Sequence, residues 1–205
     1  MGEEKPTVKL LIATGNPGKR REMEALLTGL PVEVLTPADF ADVPDVVEDG
    51  VTLEQNAAKK ASETARACGM HTVADDSGLF VDALDGRPGM RSARYAGGDS
   101  SPAALCGKLL REMRGVPTAK RGAHFQCCIA MSDPTGQVVL TASGRCDGRI
   151  ADRMRGDGGF GYDAVFYFDA AGKTFAELQP DRKNAVSHRG KALAEFRRRL
   201  IAFLG

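Results

Sequence analysis

Residues 8–13, Val-Lys-Leu-Leu-Ile-Ala, form an apolar run that breaks on Thr14-Gly15-Asn16-Pro17-Gly18-Lys19. Beyond it Met23, Leu26, Leu27 and Leu30 recur at helical spacing. The order is buried strand, glycine turn, amphipathic helix. Asn16 suits the N-cap and Pro17 the first helical position. Such a turn aims backbone N–H groups and the positive helix end at an anion, and Lys19 adds a point charge there. The G-x-x-x-x-G-K spacing of a Walker A loop is absent. An ordinary strand-to-helix connection has the same composition, so this stretch alone leaves an anion site and a plain turn both open.

The rest of the chain adds strands of two kinds. Val32-Glu33-Val34-Leu35 is a second short strand, followed by a Pro- and Asp-rich loop over residues 36–50 that carries Glu48. Thr52-Leu53-Glu54-Gln55 is a capping box that opens a helix. Ala57, Ala61, Ala65 and Cys68 give this helix a narrow face for close packing, and Asn56 and Lys60 share another face. Ala123 to Met131 and Gln137 to Arg145 are strand-like runs around Ser132-Asp133-Pro134-Thr135-Gly136, a hairpin signal. Ser101-Pro102 starts a helix with Leu105, Leu109, Leu110 and Met113 on its buried side, and Ala192, Leu193, Phe196, Leu200 and Phe203 mark a last one. Strands interleaved with helices and strands paired as hairpins together predict an α/β class, a mixed β-sheet flanked by helices. No repeat, low-complexity segment or linker divides residues 1–205, which read as one domain.

Between these elements stand the groups that can do chemistry. Ala74-Asp75-Asp76-Ser77-Gly78 separates Thr72-Val73-Ala74 from Leu79-Phe80-Val81 and reads as a strand end. Adjacent carboxylates repel and resist unpaired burial. A solvated turn fits them, and so does a hard-cation site with a base beside it. Residues 156–161, Gly-Asp-Gly-Gly-Phe-Gly, match G-x-G-x-x-G formally, but a strand-like run follows instead of a helix, so the dinucleotide reading fails. Glycines ending in Phe160-Gly161-Tyr162-Asp163 suggest a backbone close to a flat ligand, with aromatics to stack on it. His188 beside Arg189 at a helix start can donate to a carbonyl-bearing base edge, whereas His71 and His124 stand alone.

Bulk properties narrow the partners. A net charge of +1 with mixed signs disfavours nucleic acid and leaves a small phosphorylated ligand open. The five cysteines include no C-x-x-C pair and read as free thiols of a reducing compartment. The charged start Met1-Gly2-Glu3-Glu4-Lys5-Pro6 is unlike a signal peptide, Gly2 lacks a myristoylation context, and no run is long enough to span a membrane. A cytoplasmic protein is expected.

Five ordered pieces carry a resemblance: Ala13-Thr14-Gly15-Asn16-Pro17-Gly18-Lys19, Ala74-Asp75-Asp76-Ser77-Gly78, Gly89 with Ser92-Ala93-Arg94-Tyr95, Gly158-Gly159-Phe160-Gly161-Tyr162-Asp163, and Ser187-His188-Arg189-Gly190. Together they resemble the inosine triphosphate pyrophosphatase family, over nearly the whole chain. The resemblance implies an elongated mixed sheet in two lobes with the active-site cleft between them, and a homodimer. It implies Mg²⁺-dependent hydrolysis of ITP, dITP and XTP to the monophosphate and pyrophosphate, which removes deaminated purines from the nucleotide pool. By the same analogy Thr14, Gly15, Asn16, Pro17, Gly18 and Lys19 hold the triphosphate and Lys60 adds a phosphate contact. Glu48 and Asp76 bind Mg²⁺, and Asp76 is also the general base. Ser77, Phe160, Gly161, Tyr162, Asp163, Lys183, His188 and Arg189 match substrate-binding positions. Leu53 and Gln55 depart from an aromatic and a Glu that many members carry; Gln55 could still coordinate through its carbonyl but brings no charge. A pyrophosphatase for modified pyrimidine or methylated nucleotides, and a non-catalytic nucleotide-binding protein, stay open as alternatives.

Overall fold

In the computed structural model, which describes residues 7–97 and 101–205, the first apolar run forms strand β1, Val8–Ile12. Its Leu10, Leu11 and Ile12 are fully buried. Consecutive buried side chains need cover on both faces of a sheet, the environment of an inner parallel strand. β1 accordingly pairs in parallel with β2, Val32–Leu35, and with β3, His71–Val81. The other strands are β4 (Pro88–Gly89), β5 (Gly122–Ser132), β6 (Val138–Ile150), β7 (Phe166–Phe168) and β8 (Lys173–Thr174). Among the described residues they form one eight-stranded sheet in the order β2-β1-β3-β5-β6-β7-β8, with β4 on β3. The β3–β4, β6–β7 and β7–β8 pairs are antiparallel, so the sheet is mixed, as expected. The α-helices are α1 (Pro17–Leu27), α2 (Leu53–Cys68), α3 (Pro102–Glu112), α4 (Pro180–Val186) and α5 (His188–Phe203). The amino-terminal residues 1–6, on which the signal and myristoylation readings rested, lie outside the described residues. No helix among the described residues is long and apolar enough to cross a membrane.

The chain divides into two compact units. One runs through Asp76 and adds Cys128–Ser143 and Ala192–Gly205; the other comprises Ser77–Cys127 and Gly144–Lys191. In the first, α2 lays Ala57, Ala61 and Ala65 into the interior at zero exposure, which is the close packing that small residues permit. Cys68, expected on that face, is partly exposed at the helix end. Helix α1 stops at Leu27, so Leu30 lies beyond it: Thr28 leaves the helical region at ψ 131° and Gly29 follows at φ 78°. The carbonyls released at this end, those of Leu26 and Thr28, accept from the Arg197 guanidinium. Phe203, also expected inside, is 44% exposed.

The largest departure is at residues 75–78. No strand ends there: β3 runs unbroken from His71 to Val81, with Asp75 1% and Asp76 6% exposed. The strand changes partner instead of turning. Residues 71–73 pair with β1, and Leu79 and Phe80 pair with β4. Two acids can stay inside a strand because cations reach them, as described below.

The second unit is built on an aromatic core. Phe125 meets Phe166 at 4.7 Å between ring centroids, and Phe166 meets Phe175 at 4.8 Å. Leu79, Val81, Leu105 and Leu109 belong to the same cluster. Burying each such side chain stabilises by roughly 1.5–3 kcal/mol. A buried cation pins its rim: Arg121 donates to the carbonyls of Ile150 (2.7 Å), Ala151 (2.7 Å) and Met113 (3.0 Å). These bonds hold the end of β6, where residues 151–163 begin, against the end of α3.

Candidate active site

In the first unit, the turn after β1 has the expected cap. Asn16 Oδ1 accepts from Gly18 N at 2.9 Å and Lys19 N at 3.2 Å, while Thr14 Oγ1 accepts from Asn16 N at 3.2 Å. Pro17 occupies the first helical position and Gly15 is exposed. The N–H groups expected to face an anion have partners within the turn itself. Two of them are taken by the Asn16 side chain, and an anion would replace that cap or rely on side chains.

The cations converge on the acids of β3. Lys19 Nζ lies 2.9 Å from Asp75 Oδ2. Lys60, two turns into α2, donates to Glu48 Oε1 at 2.8 Å and to the Asp75 carbonyl at 2.6 Å. Asn56, one turn before Lys60, donates to Asp76 Oδ2 at 2.9 Å while its own Oδ1 accepts from Gly50 N at 2.8 Å. One face of α2 thus ties the Glu48 loop to the acid pair, the face that Asn56 and Lys60 share by spacing. Burial pushes the Asp76 carboxyl above its usual range; Lys60 and the Asn56 hydrogen bond pull it down, and Glu48 adds a further upward push. That last influence places Glu48 and Asp76 within electrostatic reach of each other.

Two carboxylates are a hard-oxygen donor pair. No group of three or more His, Cys, Asp or Glu side chains that could hold a metal occurs among the described residues. As hard oxygen donors, Glu48 and Asp76 suit a small divalent ion that keeps waters and shares phosphate oxygens, since such ions are held by one or two carboxylates plus substrate. Gln55 is not part of it: its Oε1 accepts from Val51 N at 2.8 Å, which closes the start of α2 beside the Thr52 cap.

The second unit assembles the remaining residues. Asp163 is the hub. Its Oδ2 accepts from Lys183 Nζ at 2.6 Å and from Phe160 N at 2.8 Å. Burial raises its carboxyl, and Lys183 pulls it back. Gly159, at φ 76°, has to be glycine, because a Cβ there would strike the Asp163 carboxylate. Tyr162, one of the two aromatics expected to stack on a ligand, is 4% exposed and donates to the Ser92 carbonyl at 2.8 Å. It anchors the loop. Cys106 does the same at Gly161, its Sγ donating to the carbonyl at 3.3 Å. Phe160 stays half-buried, with Lys183 Nζ 4.5 Å and Arg189 Cζ 5.4 Å from its ring centroid. Arg189 Nη2 also donates to Ser77 Oγ at 3.3 Å. His188 is 5% exposed and stacks on Phe125 at 4.5 Å, so the core fixes its ring plane. Gly190 lets α5 start against α4; a Cβ there would strike the Asn184 carbonyl.

A flat group could lie on Phe160 with cations at its edge, and an anionic group could lie on Lys19 and Lys60 beside an acid able to take a proton. A model of the Ham1 family matches residues 10–199. This chain belongs to the Ham1 family. Among Ham1 relatives, a dITP/XTP pyrophosphatase of Geobacter sulfurreducens is 53% identical over 186 residues, 91% of this chain and 93% of that one. Another of Geobacillus kaustophilus is 51% identical and covers 91% of both chains. The structure of a HAM1 protein from Coxiella burnetii matches with a TM-score of 0.88 and 37% identity, over 96% of this chain and 100% of that one. The crystal structure of a nucleoside-triphosphatase, dITP/XTP pyrophosphatase, from Mycobacterium abscessus matches with a TM-score of 0.76 and 41% identity, over 92% and 97%.

In this Ham1 chain Asn56 belongs to the site although no motif marks it; its spacing to Lys60 is the available signal. The pairing of Asp75 with Lys19 has no local sequence signal, because it joins the first turn of α1 to the interior of β3, elements far apart in the chain.

Proposed function

We propose that this chain hydrolyses non-standard purine nucleoside triphosphates, ITP, dITP and XTP, to the monophosphate and pyrophosphate. Relatives named dITP/XTP pyrophosphatase support the substrate class. The observation that carries the reading is the set Lys19, Lys60, Glu48 and Asp76 gathered around β3, cations and carboxylates together in one unit. Binding alone needs no such pairing of acids with phosphate cations; phosphoryl transfer does, because its transition state spreads negative charge over the phosphoryl oxygens.

In the proposed reaction Lys19 and Lys60 take the phosphate tail, with the turn from Thr14 through Gly18 around it. Glu48 and Asp76 would hold Mg²⁺, which when bound neutralises phosphoryl oxygens and makes water more acidic. Asp76 accepts a proton from the water that attacks the α-phosphorus, and pyrophosphate leaves. Burial makes Asp76 a better base than an exposed carboxylate, and the Asn56 amide fixes its plane. Phe160 stacks on the base. Lys183, His188 and Arg189 supply donors for the C6 carbonyl that hypoxanthine and xanthine carry and adenine lacks, and an unpaired polar partner rejects the wrong base. Ser77, held by Arg189, completes the substrate contacts. Homodimerisation, implied by the family resemblance, and a cytoplasmic location, expected from the free thiols of the sequence, belong to the same proposal.

The test is a panel of ITP, dITP, XTP, GTP, ATP and modified pyrimidine triphosphates, assayed for pyrophosphate in Mg²⁺. The first three release pyrophosphate and monophosphate in equal amounts and faster than the rest. Faster turnover of a pyrimidine, or tight ITP binding with no pyrophosphate, overturns the reading.

A further inference from the structure

We propose that Asp75 is the positioning residue of the two phosphate cations, and neither a metal ligand nor the base. The first acid of the pair sits one place before Asp76 on β3, so its side chain points to the opposite face of the strand. There its carboxylate is completely buried and lies 2.9 Å from Lys19 Nζ. Its main chain serves the other cation: the Asp75 carbonyl accepts from Lys60 Nζ at 2.6 Å. One strand residue thus holds Lys19 by its side chain and Lys60 by its backbone.

The arrangement matters because of what a lysine is. Its flexible four-carbon stem carries large rotamer freedom, and its ammonium has three donors and no fixed direction. Left to itself Lys19 would lose that freedom each time a phosphate bound. Asp75 removes it beforehand and leaves the other ammonium hydrogens for the ligand. The buried carboxylate also keeps Lys19 in place afterwards, since a buried charge parted from its partner is strongly destabilising. Lys60, shared between Glu48 and the Asp75 carbonyl, is oriented in the same way.

This inference rests on the proposed reading that Lys19 meets phosphate, and the experiment separates the two. Binding of inorganic tripolyphosphate is measured by calorimetry, without divalent metal, for the full chain, for Asp75→Asn and for Asp75→Asn/Lys19→Met. Both variants leave no uncompensated carboxylate at residue 75. Asp75→Asn weakens binding by about tenfold, the difference between a charge-assisted and a neutral hydrogen bond. Removing Lys19 as well costs only about two- to threefold more, because most of its contribution went with its partner. In turnover of ITP the larger share of the Asp75→Asn loss falls on KM. If the double variant binds tripolyphosphate like the unaltered chain, the phosphate reading itself fails. If the double variant binds weakly but Asp75→Asn binds as well as the unaltered chain or better, the positioning role fails alone. A loss in Asp75→Asn that falls mainly on kcat also overturns it, by moving Asp75 into the chemistry.

Discussion

Replacing Lys183 by Met should cost this protein more stability than any change at its surface. Lys183 and Asp163 are 8% and 4% exposed, and the ammonium lies 2.6 Å from the carboxylate. Lys183→Met keeps most of the side-chain volume and removes the cation, leaving the carboxylate on the Phe160 N–H. Breaking a buried pair from one side costs about 3–5 kcal/mol. Total stabilities run at about 5–15 kcal/mol, and each kcal/mol shifts Tm by about 2–4 °C at this size, so a fall of roughly 6–20 °C is expected.

The loss has a pH signature. Burial already holds the Asp163 carboxyl above its unfolded value of 3.8, and removing Lys183 raises it further. Between the unfolded and the raised folded value the native state binds more protons than the unfolded one, so stability falls as pH rises through that window. The deficit of Lys183→Met against the unaltered chain is therefore largest at neutral and alkaline pH and shrinks as pH falls toward 3.8. Urea denaturation of the chain, Lys183→Met and Lys183→Met/Asp163→Asn across pH measures it. The double variant, with no charge left to bury, recovers most of the loss. A deficit below about 1 kcal/mol, one independent of pH, or a double variant as unstable as the single would refute the reasoning.

Three further outcomes are expected. Asp76→Asn lowers kcat for ITP by about 10²–10⁴-fold, the usual share of a general base, with thermal unfolding close to that of the parent; near-normal pyrophosphate release from a folded variant would remove the base assignment. Arg121→Met strands the Ile150, Ala151 and Met113 carbonyls, each at about 1–3 kcal/mol, so urea midpoints should fall by several kcal/mol equivalent; a near-neutral result would show that water replaces the guanidinium. Glu195 accepts from Arg198 and Arg199, which hold its carboxyl down at about 2 against an ordinary 4.5. Its contribution is present above 4.5 and lost as pH falls toward about 2, so Glu195→Gln should lose less stability than the parent in acid titration over that window, and superimposable curves would count against it.

Much of the architecture was legible from local pattern. The Asn16 cap, the Pro17 start, the Thr52 cap and the hairpin around residues 132–136 all stand where spacing put them. Each rests on bonds within a few residues, such as Asp133 Oδ1 accepting from Thr135 N at 2.9 Å. Composition misleads where partners decide. Residues 75–78 have turn chemistry and lie inside a strand, because β1 and β4 pair either side of them. Tyr162 has the chemistry of a stacking platform and faces inward, because the Ser92 carbonyl offers its hydroxyl a buried partner.

By itself, then, the chain's order of residues determined which groups are available: two acids after an apolar run, a lysine in a capped first turn, a glycine loop holding Phe160. Capping, turn and periodicity signals act over three or four residues, and they specify elements and inventories. Tertiary structure alone decided who partners whom. Lys60 reaches Asp75 across 15 residues, Asn56 reaches Asp76 across 20, and Arg189 reaches Ser77 across 112. Those distances are set by the order of strands in the sheet and by the cost of leaving a charge buried without a partner, neither of which any short stretch of sequence contains.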